Sequence, residues 1–301
     1  NRAKTMGLVF AGFGLGFIIG PALGGLLGWL GTEQPAFLGP QLQAFFGQLG
    51  NRAPMYMAAL LSLANFAFGF FVFKESLPLK NRRPFSLLRA IPLGAILSIR
   101  HLRGIFLLLA VIFLFGVAQV VYPAVWSFFA RAAVGWNVGQ VGLSLTIVGI
   151  GFFVVQAVLV GPLTKRFGEG GVLMIGLGFN LIAFTVLTFA RQEWLIWAGI
   201  PISALGLRVG PAASALLSKS VDETRQGEVQ GISASLNAIA FLIGPIILTN
   251  TFSFYTGSDA PVFWPGAPFG IAALIVVVCI PLMILFLRGR QASSAVEEHA
   301  A

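Results

Sequence analysis

The chain has 301 residues, of which 57% are hydrophobic and 10% are charged, and its formal net charge is +9. A soluble domain carries about 25% charged residues, so this composition excludes a soluble enzyme, a secreted domain and a nucleic-acid-binding protein. It predicts an integral membrane protein. The single cysteine, Cys279, lies in an apolar run, and the two histidines, His101 and His299, have no other metal-ligand types nearby. We therefore expect no disulfide, no metal ion and no cofactor.

Eight apolar segments are long enough to cross a hydrocarbon core of about 30 Å, which requires about 20 residues of helix. They predict an all-α, polytopic membrane helix bundle with eight spans. In chain order the segments are roughly 6–30, 54–73, 104–129, 141–163, 171–190, 194–218, 228–252 and 267–287. The longer connectors between them are 31–53 and 74–103.

The cationic residues predict how the spans are oriented. If the N-terminus is cytoplasmic, fifteen of the 19 Lys and Arg residues fall on the inside, three fall on the outside and one, Arg208, falls within a span. Cytoplasmic loops of membrane proteins carry an excess of Lys and Arg. This bias predicts that both ends of the chain are cytoplasmic, and it accounts for the net charge without a nucleic-acid partner.

The segment 84–100, between the second and third predicted spans, is too short and too basic to cross a membrane. It predicts an amphipathic helix on the cytoplasmic surface. We therefore divide the chain at this segment. The predicted parts are two spans in 1–75, a cytoplasmic linker in 76–103, six spans in 104–290 and a disordered tail in 291–301.

Glycines recur with a spacing of four along the first span. A spacing of four places residues along one face of a helix, where the absence of side chains lets a neighbouring helix approach closely. Pro21 is predicted to kink the helix, since it removes one backbone donor. The glycines are Gly12, Gly16, Gly20, Gly24 and Gly28, with Gly25 beside them.

The pattern Gly16-x-x-x-Gly20-Pro21-x-x-Gly24-Gly25 resembles the antiporter signature in the fifth helix of drug/proton antiporters of the major facilitator superfamily. Further stretches resemble the tetracycline exporters of that superfamily and follow in order along the chain. They include Glu75-Ser76-Leu77, Trp126-Ser127-Phe128, Val141-Gly142-Leu143-Ser144-Leu145 and Gln226-Gly227-Glu228-Val229-Gln230-Gly231. The resemblance implies two six-helix halves and a glycine seam that limits leak of the coupling ion. It also implies that the chain is a fragment lacking the first four helices, with the last two helices of the N-terminal bundle in 1–75 and the six-helix C-terminal bundle in 104–290.

The pattern Gly161-x-Leu163-x-x-Arg166-x-Gly168 resembles a degenerate copy of the loop motif of the same superfamily. Its glycines, Gly161 and Gly168, allow a tight turn, and Arg166 is predicted to interact with carbonyls at a helix end. Thr164 and Lys165 stand where the motif usually has an aspartate. The alternative interpretation is a basic cytoplasmic turn.

Polar side chains within spans predict a substrate cavity, because such residues face the bundle interior or a water-filled path. Gln119, Tyr122 and Trp126 share one face of the third span, and Gln230 and Asn237 share a face of the seventh. Each polar residue has an alternative role as a hydrogen bond between helices. The candidate cavity residues are Gln119, Tyr122, Trp126, Phe152, Gln156, Asn180, Arg208, Gln230 and Asn237.

Arg208 is expected to contact a substrate anion or a buried acid, because an arginine in a span costs at least about 2.5 kcal/mol. The alternative is that Arg208 snorkels to the membrane surface. All ten acidic residues lie in loops, at span ends or in the tail, so we expect the proton-binding acid in the missing helices. Some tetracycline exporters carry a histidine and an aspartate where this chain has Phe152 and Asn180, and that proton-exchanging pair is therefore not expected here.

The sequence thus predicts a secondary active transporter. We expect proton-coupled antiport that exports drugs such as tetracycline-like compounds by alternating access. The expected partners are a small-molecule substrate, protons and the lipid bilayer, around a monomer in the inner membrane. An alternative is a facilitator or importer of an organic anion on the same fold, and a third possibility is a non-transporting receptor or assembly subunit. No catalytic residue or enzyme activity is expected, because the spans lack a Ser–His pair, an HExxH motif and paired carboxylates.

Overall fold

The computed structural model of the chain describes residues 2–72, 105–206, 209–221 and 226–300. All regular structure in these ranges is helical, which confirms the predicted all-α class. The predicted surface helix in 84–100 and the candidate residue Arg208 lie outside the described residues.

Three helices belong to the first described range. They are α1 (Arg2–Glu33), α2 (Gly39–Leu49) and α3 (Ala53–Val72). Short 3-10 turns, Ala36–Leu38 and Gly50–Arg52, flank α2. The connector between the first two predicted spans is therefore itself helical.

The later described ranges contain the remaining helices. They are α4 (Phe106–Gln119), α5 (Val121–Val134), α6 (Val138–Val154), α7 (Val160–Phe189), α8 (Glu193–Gly206), α9 (Val209–Ser218), α10 (Gln226–Thr256) and α11 (Ala267–Ala300). A π-helical turn, Val155–Leu159, joins α6 to α7. The helix α11 continues past residue 290, where the sequence predicts a disordered tail.

Wherever the structure describes them, the eight predicted spans are helical apart from four places: the 3-10 residue Ile105, the turn residue Val120, the π-helical turn Val155–Leu159 and the extended residue Ala190. Among the described residues, five stretches are long and apolar enough to cross a membrane, and the shorter α6 is also apolar. The five stretches are Ala36–Val72, Phe106–Val134, Gly161–Phe189, Val229–Thr256 and Ala267–Arg290. These lengths and compositions agree with a polytopic membrane protein.

Local backbone geometry separates or joins the spans. Gly168 has φ 65° and ψ 174° inside α7, so the chain turns there, between the fourth and fifth predicted spans. At Val120, in contrast, the backbone joins two helices into one span. The amide of Val120 donates to the carbonyl of Gly116, and Val120 itself keeps helical dihedrals, so α4 and α5 together form the third predicted span.

The described residues fall into two compact units. The first contains α1, α2, α3 and Trp136–Thr146, and the second contains α4, α5, the chain from Ile147 and the helices that follow. Within the second unit, α7 packs against α8, α9 and α11, while α4 packs against α10 and α11. The predicted boundaries at residues 75 and 103 lie outside the described residues, so the division into bundles stays a prediction.

Candidate functional site

The glycine motif makes a backbone-to-backbone contact within the first unit. A Cβ atom added to Gly25 would lie 2.6 Å from the Cα of Gly142, and one added to Gly142 would lie 3.0 Å from the carbonyl oxygen of Pro21. Real Cβ atoms do not approach other atoms this closely, so only glycine fits at either position. A Cβ on Gly28 would lie 2.6 Å from a methyl group of Val138. The contact therefore follows α1 for one turn along the start of α6.

The other motif glycines lie away from this contact. A Cβ on Gly16, Gly20 or Gly24 would meet no atom of the described residues within 4 Å. The reason is helical geometry: successive residues are rotated by about 100°, so Gly25 shares its face with Pro21 and Gly28, and not with Gly24. The structure thus includes Pro21 and Gly25 in the seam and leaves the three spaced glycines beside it.

A buried amide network lies in the second unit, where α4, α7 and the end of α8 meet. The side chain of Asn180 is fully buried. Its Nδ2 donates to the carbonyls of Gly206 (2.6 Å) and Gly176 (2.9 Å), and its Oδ1 accepts from Nε2 of Gln119 at 3.3 Å. One neutral side chain therefore joins three helices. Hydrogen bonds between helices in membranes contribute about 0.6–2 kcal/mol each.

Gly206 is the last described residue of α8, and its carbonyl accepts a hydrogen bond from Nδ2 of Asn180. A Cβ on Gly206 would lie 2.7 Å from Cγ of Asn180, so the absence of a side chain at position 206 is what lets the amide reach the backbone. The network depends on this glycine as much as on the asparagine.

An aromatic cluster lies next along the same face of the third span. The Tyr122 hydroxyl donates to Oγ of Ser203 at 2.7 Å, and that hydroxyl donates to the carbonyl of Gly199 at 2.8 Å. Five aromatic rings of α5, α7 and α11 pack together at this place. The centroids of the contacting rings lie 4.8–6.4 Å apart, a range typical of favourable ring pairs. The rings are those of Tyr122, Trp126, Phe129, Phe184 and Phe269.

The polar residues of the seventh span bond to two different places. Gln230 is exposed and its Nε2 donates to Oγ of Ser218 at 2.7 Å, on α9. Asn237 donates to the carbonyl of Ser233 on its own helix, and its Oδ1 would lie 3.2 Å from a Cβ on Gly116 of α4. Gln119 thus meets Asn180, and Tyr122 meets Trp126, whereas Gln230 bonds to Ser218 and Asn237 to Ser233.

The structure describes the remaining candidate cavity residues only in part. Phe152 is half-buried on α6. Gln156 belongs to the π-helical turn, and its side chain lies outside the description, as does the whole of Arg208. Their assignment to a substrate cavity stays a prediction.

The loop motif forms the turn between the fourth and fifth spans. Gly161 is exposed with open space around its Cα, whereas Gly168 adopts the positive φ that the turn requires. The guanidinium of Arg166 lies 5.3 Å from the centroid of the Phe167 ring. Beside the turn, Glu169 accepts a hydrogen bond and forms an ion pair with Lys219, a contact that the motif did not predict.

Sequence reasoning missed Ser203, Gly206 and Gly142, which are the partners of three predicted site residues. A signal for the first two was present. Gly199, Ser203 and Gly206 lie at i, i+4 and i+7 in the sixth span, the small-residue spacing of a helix face that another helix approaches closely.

The sequence of the second unit decides the family. Residues 107–300, more than half of the chain, match the family model described as Major Facilitator Superfamily. The chain belongs to this superfamily. Its members are carriers and not enzymes, and they are multi-pass membrane proteins, as the helix lengths of the chain indicate.

Individual relatives within the superfamily include tetracycline resistance proteins. The chain is 32% identical over 286 residues to the class C protein of Escherichia coli, and the aligned region covers 94% of this chain and 65% of that protein. It is 30% identical over 291 residues to the class G protein of Vibrio anguillarum, with 94% and 66% covered. The chain thus spans slightly less than two thirds of the length of these relatives.

A solved structure shows the same fold. The chain is similar to the crystal structure of a mutant of nucleoside transporter NupG, with a TM-score of 0.62 and 17% sequence identity. The similarity covers 82% of this chain and 62% of that chain. It supports the major facilitator fold that the sequence resemblance implies.

Proposed function

We propose that the protein is a proton-coupled antiporter that exports drug-like compounds, with tetracycline-like compounds as the first candidates. The proposal rests on the contact between Gly25 and Gly142. Gly25 belongs to the sequence pattern in α1 that resembles the antiporter signature. The similarity to tetracycline resistance proteins along nearly the whole chain supports the choice of substrate class.

The contact supports antiport because it leaves no room for water between two helix backbones. A Cβ on Gly25 would lie only 2.6 Å from Gly142, so nothing larger than a hydrogen atom fits between them. A carrier that exchanges protons for substrate must not let protons pass alone. A dry, side-chain-free seam between adjacent helices meets that requirement.

The second unit supports a neutral or weakly polar substrate surface. The described residues around Tyr122 offer aromatic rings and the neutral network of Gln119 and Asn180, without a carboxylate. Aromatic walls with a few polar groups are typical of sites that bind drug-sized molecules. No residue of this cluster is proposed to bind the coupling proton.

The test is transport in inside-out vesicles from a bacterial host without its own tetracycline exporter, with the protein expressed from its complete reading frame. We expect energised vesicles to accumulate labelled tetracycline, and we expect nigericin, which abolishes the pH gradient, to stop the accumulation. Gly25→Ala should uncouple or abolish transport, because its Cβ would lie 2.6 Å from Gly142, whereas the neighbouring Gly24→Ala serves as the matched control.

Two results would contradict the proposal. Accumulation that survives a protonophore, which abolishes both the pH gradient and the membrane potential, would exclude proton coupling. If correctly inserted protein instead moved only organic anions, the alternative of an organic-anion facilitator would replace drug export, and Arg208→Gln would then be expected to abolish anion transport selectively.

A further inference from the structure

The helix α2, in the connector between the first two spans, is fixed to the chain on both sides. Nε2 of Gln43 donates to the carbonyls of Gln34 (3.0 Å) and Pro35 (3.1 Å). At the other end, a Cβ on Gly31, near the end of α1, would collide with the carbonyl of Gly50. Gly39 and Gly50 have φ of 72° and 52°, so sharp turns begin and end the helix.

The exposed side of α2 has an apolar edge and a polar edge. At 100° per residue, Leu42 and Phe45 fall near each other, and Gln41 and Gln48 fall together on the adjacent edge. Leu42 and Phe45 are 50% and 55% exposed. No charged residue occurs between Glu33 and Arg52. The helix therefore presents an uncharged, amphipathic surface away from the protein.

The position of α2 along the membrane normal follows from its neighbours. The predicted span in α1 ends just before Glu33, and α3 begins at Ala53, so both neighbouring helices reach the membrane surface at this connector. A helix held against those two ends stays at the boundary between acyl chains and headgroups. Trp29, whose ring is 6.2 Å from that of Phe37, is a residue type enriched at this depth.

We infer that α2 is an interfacial helix that binds the phospholipid bilayer around the protein. Leu42 and Phe45 enter the upper acyl-chain region, together with Phe37, which is 74% exposed. Gln41 and Gln48 remain in the hydrated headgroups. Met55 and Tyr56, at the start of α3, are also exposed apolar residues.

The inference is tested by site-directed spin labelling. The chain has one cysteine, Cys279, so Cys279→Ala gives a background for single labels at Leu42→Cys, Phe45→Cys, Gln41→Cys and Gln48→Cys. The protein is reconstituted at high lipid-to-protein ratio in vesicles of phosphatidylethanolamine and phosphatidylglycerol. Collision of each label with oxygen, which concentrates in lipid, is compared with collision with a water-soluble nickel chelate.

Labels at positions 42 and 45 are expected to collide several-fold more with oxygen than with nickel, and labels at 41 and 48 are expected to show the reverse. Equal oxygen-to-nickel ratios on the two edges would overturn the inference, because α2 would then lie in water. Exclusion of both reagents at 42 and 45 would also overturn it, since protein would then cover the apolar edge. The readout does not require transport.

Discussion

Gly25 and Gly142 pack so closely that the Cβ of an alanine at position 25 would lie 2.6 Å from the Cα of residue 142. The two helices meet through their backbones, and the carbonyl of Pro21 faces the same glycine. Within the first unit, the helix that carries the antiporter-like pattern is therefore in direct backbone contact with the segment from Val138 to Thr146. Neither helix can gain a side chain there without moving.

Gly25→Ala is expected to lower the free energy of unfolding by about 1–3 kcal/mol, the usual cost of overpacking. Gly24→Ala is expected to be close to neutral, because an added methyl group at position 24 meets no described atom within 4 Å. Thermal unfolding in detergent micelles measures both. Equal losses for the two variants would contradict the seam, and the double variant Gly25→Ala with Gly142→Ala should depart from additivity because the sites touch.

Asn180→Asp is expected to be less stable than the wild type, and the deficit should grow as the pH rises. A protonated carboxyl group can donate to one carbonyl, whereas the ionised form can donate to neither Gly206 nor Gly176. Asn180→Leu removes the same hydrogen bonds without a titrating group and should lose about 1–3 kcal/mol at every pH. Unfolding of the three proteins across a pH series provides the measurement. Parallel curves for the aspartate and leucine variants would contradict the assignment of Asn180 as a donor.

Ser203→Ala is expected to destabilise the protein more than Tyr122→Phe. The first variant leaves the Tyr122 hydroxyl without its acceptor, at a cost of about 1–3 kcal/mol, while the second removes the hydroxyl itself and keeps the aromatic packing. In the second variant Ser203 still donates to the carbonyl of Gly199. The double variant should therefore resemble Tyr122→Phe alone in a thermal-unfolding experiment. A larger loss for Tyr122→Phe than for Ser203→Ala would show that the hydroxyl has another partner.

Gly168→Ala is expected to cost about 1–3 kcal/mol, because its combination of positive φ and extended ψ is available essentially to glycine alone. Gly161→Ala, in the same motif but in open space within a helix, should be neutral or stabilise the protein by up to about 1 kcal/mol. Chemical unfolding in mixed micelles distinguishes the two. Similar behaviour of the two variants would mean that the turn is formed elsewhere in the chain.

The spans could be predicted from the sequence because helix length and hydrophobicity are local properties of the chain. The partners within the site could not be predicted in the same way. Gln230 and Asn237 share a helix face, yet they are separated by two turns, about 10 Å along the axis, and they lie against α9 and α4 respectively. Which neighbour a side chain meets depends on the rotation and tilt of each helix, and a one-dimensional pattern contains neither.

The same limit applies to the glycine pattern. Its spacing predicted a close helix contact, and the contact exists, but Gly25 makes it and not Gly16, Gly20 or Gly24. The decisive partner, Gly142, lies more than a hundred residues away and is unremarkable in its own segment. Asn180 was singled out as a polar residue in a span, and its role in a substrate cavity stays a prediction. Its bond to Gly206 could not be predicted, because that bond depends on where α8 lies in space.

The neutrality of Asn180 has a consequence for how the membrane potential acts on this part of the protein. A unit charge moved across a membrane gains about 2.3 kcal/mol per 100 mV, and an amide gains none. The three hydrogen bonds that join α4, α7 and α8 at Asn180 therefore involve no side-chain charge on which the membrane potential could act, and none of them depends on the protonation of a side chain.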